Sequence, residues 1–334
     1  MSRRESSISN ARPTEITSGS PMLVRHAAEV EPDVSLNFSI AKVIAIFTVV
    51  AGHWFTGTVL WIPVTFGLFI FAFSSAYFTA RGYGARIDRQ QFWRKKLERL
   101  GLRYWVILSF LSLLLIAAGK PVLHWHSLVH FAGLSGLLNW FSIPNRSALG
   151  AGLWFFTLLL LFYFAYPHLA KICEKRRRAG YVVVIVSGAA LILDMNVKVG
   201  HELWLTALGF VLGIGYALHE PNVKHREALI LSVIFSLCLL LVNVLTNLKQ
   251  LNPFLIFATS ISLSAWVSKV PLPGWRVAKK LAKMEDYLLE IFLIHTYLFV
   301  RISGNTYLDF LTSVVLIVVV AIALNRIVIR LSSV

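Results

Sequence analysis

Apolar segments close to 20 residues long recur along almost the whole of this 334-residue chain, and they constrain its fold more than any other feature. An α-helix of about 20 apolar residues crosses the hydrocarbon core of a bilayer. Hydrophobic residues make up 57% of the chain, too many for a soluble domain of this length to cover with polar surface. The pattern predicts an all-α, polytopic membrane helical bundle.

Ten segments have the length and composition of transmembrane helices. They lie at roughly residues 37–57, 60–80, 103–119, 152–170, 180–195, 202–218, 228–247, 254–269, 286–303 and 310–330. One further apolar stretch, 126–143, is interrupted by Gly133 and Gly136. We predict a re-entrant or interfacial helix there.

The net charge of +16 is explained by the positive-inside rule, and we expect no nucleic-acid partner. Ten spans with both termini cytoplasmic place most of the 32 lysines and arginines inside. The five that fall outside are Lys120, Arg146, Lys198, Lys249 and Arg301. An eleventh span at 126–143 would invert every later loop and remove this asymmetry. We therefore predict a multi-pass protein with cytoplasmic termini.

The chain divides into a polar tail and a membrane domain. Residues 1–34 are polar and contain no apolar core of a signal peptide, so we predict a disordered cytoplasmic tail. Residues 35–334 form one transmembrane domain. Cys173 and Cys238 fall in separate spans or at their ends and indicate no disulfide framework. The chain has no G-x-x-x-x-G-K-[ST] or G-x-S-x-G motif.

Two ionisable residues in the first span are the first candidates for function. Lys42 lies near its inner end and His53 in its outer half. Eleven residues of helix rise about 16 Å in about three turns, so both side chains project from one face. An imidazole there suits general-base catalysis. A structural histidine with a snorkelling lysine is an equally open interpretation.

The ninth predicted span carries a second ionisable pair, Glu290 and His295. Five residues apart on a helix, their faces differ by about 140°, so we expect each to meet a different helix. Intramembrane carboxylates and imidazoles are functional candidates by default. A structural inter-helix hydrogen bond is the alternative for Glu290.

A basic helical face precedes the third span, in "FWRKKLERLGLRYW" (92–105). Lys96, Arg99 and Arg103 are spaced by three and four residues and share that face. Such a face can anchor lipid phosphates or bind the phosphates of an anionic cofactor. The histidines of "HWHSLVH" (124–130) have no carboxylate or cysteine among them, so we expect no metal.

These features together resemble the acyltransferase-3 family of integral-membrane acyltransferases. The resemblance covers nearly all of residues 35–330. Five motifs of the family appear here in the family's order. The first three are Lys42 with His53, "FIFAFSSAYFTA" (69–80) with Ser74 and Ser75, and Lys96 with Arg99. The last two are "LWFFTLLLLFYFAYPHL" (153–169) with Trp154, and "YLLEIFLIHTYLF" (287–299). The chain departs from the family pattern in "LNFSIAKVIA" (36–45), where Ser39 occupies the usual Asp position and Lys42 the usual Arg position.

The resemblance implies an acetyl-CoA-dependent O-acyltransferase of the inner (plasma) membrane. An acyl group, usually acetyl, would pass from cytoplasmic acyl-CoA to a hydroxyl of an envelope glycan or lipid-linked sugar. The resemblance also assigns His53, Lys42 and Glu290 to catalysis. Binding of acyl-CoA falls to Lys96, Arg99 and Arg103, and substrate contacts fall to Trp154, His295 and Ser74. Direct transfer with His53 as base and a covalent acyl-histidine both fit.

Two other classes of protein fit parts of the pattern. A proton-coupled transporter or flippase of a glycan or lipid precursor would use intramembrane His and Glu as a proton relay. Inverted repeats would favour it, and the two halves show no convincing similarity. A non-catalytic scaffold leaves the deep ionisable residues unexplained.

Reporter fusions test the topology. We expect a C-terminal tag to be accessible from the cytoplasm, because the charge asymmetry places both termini there. A tag accessible only from outside would contradict the even number of spans.

Overall fold

The computed structural model describes residues 32–197, 201–245, 248–271 and 276–332. In these ranges the chain forms α-helices, 3-10 turns and loops, with no strand. The helices are α1 (Pro32–Trp54), α2 (Trp61–Tyr83), α3 (Arg89–Ala117), α4 (Trp125–Phe131), α5 (Ser135–Trp140), α6 (Trp154–Ile172), α7 (Arg176–Asn196), α8 (His201–His219), α9 (His225–Leu245), α10 (Asn252–Lys269), α11 (Arg276–Ala282), α12 (Leu288–Ile294) and α13 (Thr306–Ser332). The predicted tail lies almost entirely outside the described residues.

Eight of the described helices are long and apolar enough to cross a membrane: α1, α2, α3, α6, α7, α9, α10 and α13. They coincide with eight of the ten predicted spans, which confirms the all-α multi-pass bundle. The apolar part of α8, Leu203–His219, is shorter. The exact number of spans and the side on which each terminus lies stay predictions.

The predicted ninth span, 286–303, is not the continuous helix that its hydropathy indicated. A 3-10 turn (Lys283–Tyr287) leads into α12, a second turn (His295–Tyr297) follows, and no helix forms before α13. We call residues 283–305 the broken segment. Side chains of α13 explain the break: Ser313 accepts from the Val300 N–H at 3.0 Å, and Asp309 caps the next turn. Non-helical backbone is tolerated at membrane depth where protein covers it.

The stretch predicted to be re-entrant or interfacial forms two short helices, α4 and α5, joined at Gly133. Neither is long enough to cross a membrane. Thr157 of α6 holds the junction, because its hydroxyl donates to the Gly133 carbonyl at 2.7 Å and accepts from the Gly136 N–H at 2.8 Å. The pair therefore packs against α6 without spanning.

Two glycines allow α8 to lie directly against α2. A Cβ atom on Gly213 would fall 2.3 Å from the Phe73 carbonyl oxygen, and one on Gly209 would fall 3.1 Å from that of Phe69. Small residues four apart let helix backbones approach closely in membranes, where packing drives association. This contact fixes α2, one wall of the cavity described next, against the rest of the bundle.

The other wall belongs to a core shared by α1, α3, the broken segment and α13. Its fully buried members include Val43, Ile46, Ile107, Ile291 and Ile317. Since α1 touches both α2 and the broken segment, it stands at the centre of the bundle. Lys42 and His53 of α1 both contact the broken segment, through Glu285 and His295.

Candidate functional site

A cavity of about 470 Å³ opens at the Lys42 end of α1, the end predicted to be cytoplasmic. Helices α1, α2, α3 and α6 and the broken segment form its walls. Four cationic side chains line it, and one carboxylate. They are Lys42, Lys96, Arg99, Arg103 and Glu285. The excess of positive charge in one recess favours an anionic ligand.

Lys42 forms an ion pair with Glu285 across the mouth of the cavity. The same carboxylate accepts a hydrogen bond from the hydroxyl of Ser39, one turn earlier on α1. The Lys42 ammonium group also lies 5.7 Å from the centre of the Phe78 ring. Lys42 is therefore charge-balanced and fixed, and its pair joins α1 to the broken segment.

Lys96 is enclosed by aromatic rings. Its ammonium nitrogen lies 4.3 Å from the ring centre of Tyr163, 5.5 Å from that of Phe92 and 5.6 Å from that of Tyr83. The Tyr163 hydroxyl is held in turn by Ser75 at 3.0 Å. Ring faces attract a cation and replace part of its lost hydration. Within the described part of the chain no carboxylate forms an ion pair with Lys96, so its charge at the cavity wall is available to an anionic ligand.

Arg99 and Arg103 share a face of α3 with Lys96, as the spacing predicted, and all three line the cavity. Arg103 is already engaged: its Nε lies 3.5 Å from Oε1 of Glu290, and it donates to the Asp286 carbonyl at 3.2 Å. No ion pair joins Arg99 to another residue in the part of the chain that the structure describes. Its guanidinium group is the strongest candidate for holding an anion.

Aromatic side chains close the inner end of the cavity. Phe71, Phe155 and Phe292 line it, and the rings of Phe155 and Phe292 lie 4.2 Å apart. Ser74, predicted to contact substrate, also lines the cavity, where its hydroxyl donates to the Phe71 carbonyl at 3.3 Å. Trp154 lies behind this wall, 6.2 Å from Phe292 between ring centres, and outside the cavity lining.

His53 meets His295 beyond the aromatic wall. Their ring centres are 5.1 Å apart, and the ring of Phe292, which lines the cavity, is 5.9 Å from that of His295. His53 is exposed at the end of α1, whereas His295 is fully buried. The pair therefore lies between the cavity and the far end of α1.

The hydrogen bonding of His295 fixes which nitrogen carries its proton. Its Nδ1 is 2.7 Å from the Phe292 carbonyl oxygen, and a carbonyl only accepts, so Nδ1 is protonated. The Nε2 of a neutral ring is then an acceptor, and among the described residues it has no hydrogen-bond partner. A fixed tautomer of this kind can orient a second imidazole or a substrate hydroxyl.

Glu290 lies on another face of the broken segment, as its spacing from His295 predicted. It is fully buried, pairs with Arg103 and accepts from the side-chain amide of Asn325 at 3.3 Å. It does not belong to the cavity lining. In the structure its contacts link α3, the broken segment and α13.

Two parts of the site escaped the sequence-based interpretation. Glu285 was not singled out, and the serine at position 39, where the family usually has an aspartate, was the only hint in the sequence that a carboxylate comes from elsewhere. The aromatic cage of Lys96 needed the tertiary structure, because Tyr83 and Tyr163 come from α2 and α6. Among the described residues, no group of three or more His, Cys, Asp or Glu side chains could hold a metal.

Comparison with known proteins matches this region to a family model. That model, described as an acyltransferase domain, covers residues 36–329. No curated protein and no solved structure matches the chain. The matched region contains the cavity, the aromatic wall and the histidine pair.

A double-mutant cycle tests the Arg103–Glu290 contact. We expect Arg103→Gln and Glu290→Gln to show a coupling free energy of about 0.5–3 kcal/mol, because removing one partner leaves the other charge uncompensated. Unfolding in detergent measures it. The exposed pair Arg86–Glu174, with 90% of the Arg86 side chain accessible, is the control and should show about 0–1 kcal/mol. Additive effects at Arg103 and Glu290 would contradict the contact.

Proposed function

Because the chain belongs to the acyltransferase-3 family of membrane proteins, we propose that its cavity binds acetyl-CoA and that the acetyl group passes to a carbohydrate hydroxyl. The family establishes a membrane acyltransferase. The acetyl donor, the acceptor class (an envelope glycan or lipid-linked sugar) and the location in the inner membrane are our proposal. The cation-lined cavity at the Lys42 end of α1 is the observation that supports it.

The donor's phosphates bind at the mouth of the cavity in this proposal. Arg99 supplies a planar fork of N–H donors that suits a phosphate. Lys96 supplies a positive charge held in place by its aromatic cage. Lys42 contributes less net charge than its position suggested, because Glu285 balances it. The lysine and its carboxylate shape the cavity mouth.

The thioester arm then runs inward toward the histidines. The cavity ends at Phe155 and Phe292, and the Phe292 ring is 5.9 Å from His295. The rings of Phe155 and Phe292 are in contact, with centres 4.2 Å apart, so the arm reaches the histidines only after one of these side chains moves, while the polyanionic end stays in water. Since Lys42 and His53 are about 16 Å apart along α1, the two ends of the donor's path are set by one rigid helix.

His53 acts as the general base of the transfer. Its imidazole takes the proton of the acceptor hydroxyl, whose oxygen attacks the thioester carbonyl. The C–S bond breaks, and the CoA thiolate leaves with the proton that the imidazole had taken. His295 is a positioning residue, since its protonated Nδ1 leaves Nε2 as an acceptor next to His53. A covalent acyl-His53 intermediate is the alternative route.

Purified protein in proteoliposomes tests the function. Given acetyl-CoA labelled in the acetyl group and an extract of envelope glycans, we expect free CoA to be released and label to enter the glycan. Movement of glycan across the bilayer without consumption of acetyl-CoA would instead indicate a transporter.

Substitution of Arg99 tests the donor site. We expect Arg99→Ala to weaken acetyl-CoA binding by roughly ten- to over a hundredfold, because a lost charge-assisted hydrogen bond is worth about 1.5–3 kcal/mol. Isothermal titration in detergent measures the affinity. Lys95→Ala is the matched control, since Lys95 is exposed on the same helix and outside the cavity. Unchanged affinity for acetyl-CoA in Arg99→Ala would indicate that the basic face of α3 anchors lipid phosphates and does not bind the donor.

Substitution of His53 tests the base. We expect His53→Ala and His53→Gln both to abolish transfer while binding of acetyl-CoA persists, because glutamine keeps polarity but cannot exchange a proton near neutral pH. Glycan acetylation at matched membrane abundance is the measurement. His168→Gln, at an exposed position of α6, is the control and should retain transfer. Substantial glycan acetylation by His53→Gln would show that His53 is not the general base.

A further inference from the structure

The end of α1 opposite the donor cavity carries a smaller depression, of about 240 Å³. Its lining comes from the last residue of α1, from the broken segment and from the start of α13. The lining residues are Trp54, Arg301, Gly304, Thr306 and Asp309. The Phe299 ring connects the depression to the histidine pair, because its centre lies 5.2 Å from that of Trp54 and 6.0 Å from that of His295.

A stacked pair of side chains forms one side of this depression. The guanidinium carbon of Arg301 lies 5.3 Å from the centre of the Trp54 ring. Trp54 is itself buried and held by Phe299 and Phe310, whose ring centres are 5.2 Å and 6.0 Å away. Arginine stacked on an aromatic face keeps its N–H edge for other partners. The stack therefore presents a guanidinium group in a fixed position.

Asp309 also lines the depression, and its carboxylate is engaged by the turn that follows Arg301 rather than by the Arg301 guanidinium group. Oδ1 of Asp309 accepts from the N–H groups of Ile302 and Ser303, at 3.2 Å and 2.8 Å, and from the Ser303 hydroxyl at 2.8 Å. These bonds hold the turn that carries Arg301. In the described ranges, no ion pair involves Arg301.

The position of Arg301 is unusual for a cation in this chain. It is one of the five lysines and arginines that the ten-span topology places outside the cytoplasm. Positive residues on that side work against the orientation that the others establish. An exposed arginine that is stacked, held on a capped turn and next to the candidate base is better explained by a ligand than by topology.

We propose that this depression is the acceptor subsite and that the acceptor is an anionic carbohydrate. Arg301 binds a carboxylate or a phosphate of the sugar, and Thr306, which lines the same depression, is available to one of its hydroxyl groups. One sugar unit then lies beside His53, on the side of the bundle away from acyl-CoA. The proposal rests on the proposed acyl transfer and names the chemical class of its acceptor.

Binding of matched oligosaccharides tests the subsite. The protein is placed in nanodiscs of zwitterionic lipid without acetyl-CoA. It is titrated with a galacturonate trisaccharide, with the carboxyl methyl ester of that trisaccharide, and with an otherwise uncharged trisaccharide that carries one phosphate. We expect the wild type to bind at least one anionic probe more tightly than the ester. Arg301→Gln should weaken that binding by ten- to a hundredfold and leave the ester unaffected. The carboxylate and phosphate arms identify the source of the anion.

Lys249→Gln is the matched control. Lys249 is another exposed cation predicted on the same side, and it lines a separate depression with Gly52 and Trp61. We expect this variant to bind every probe like the wild type. Arg301→Lys, which keeps the charge but loses the planar fork, should fall between wild type and Arg301→Gln.

Three results would overturn the subsite. The wild type could bind neither anionic probe more tightly than the ester, or Arg301→Gln could bind the anionic probe as tightly as the wild type. The third is that the wild type loses its preference for the anionic probe when anionic lipid is added to the nanodiscs. The last would make Arg301 a lipid anchor. Consumption of acetyl-CoA is measured in the same nanodiscs. Binding that depends on Arg301 in a protein that never consumes acetyl-CoA would support the subsite and contradict the acyl transfer.

Discussion

The contact between α1 and the broken segment is the interaction on which the rest of the site depends. At one end, Glu285 binds Lys42 and Ser39 together. At the other, His295 lies against His53. The Lys42–Glu285 pair is partly buried, and loss of one partner would leave the other charge unpaired, so the ion pair holds α1 against its neighbour. That register in turn places the two imidazoles beside each other.

Glu285 contacts the two positions at which this chain departs from its family's first motif. A serine stands at position 39, where the family usually has an aspartate, and a lysine at 42 replaces the usual arginine. The missing carboxylate is supplied from a position 246 residues later in the chain. In this chain a cation on α1 thus lies beside a carboxylate that the broken segment contributes.

The sites at the two ends of α1 differ in their number of cationic side chains, and this difference supports separate binding sites for donor and acceptor. The donor cavity gathers several cations in a recess large enough for a polyanion. The far depression holds one guanidinium group on an aromatic ring. The aromatic wall of Phe155 and Phe292 separates the donor cavity from the histidines. Donor and acceptor are thus expected to approach one imidazole from opposite sides.

The sequence by itself determined the helical membrane architecture, because helix length and hydropathy are local properties that a bilayer imposes on each segment. It also determined that Lys96, Arg99 and Arg103 share one face, since the period of a helix fixes this spacing. For the same reason it predicted that Glu290 and His295 point to different faces of their segment.

Only the tertiary structure decided which residues meet across helices. Glu285 with Lys42, the rings around Lys96 and the stack of Arg301 on Trp54 each join elements distant in sequence. It also decided that residues 283–305 do not form one helix. Hydropathy detects how apolar a segment is, whereas the break depends on hydrogen bonds that Ser313 and Asp309 of α13 offer to its backbone. Such bonds exist only once the two segments are packed together.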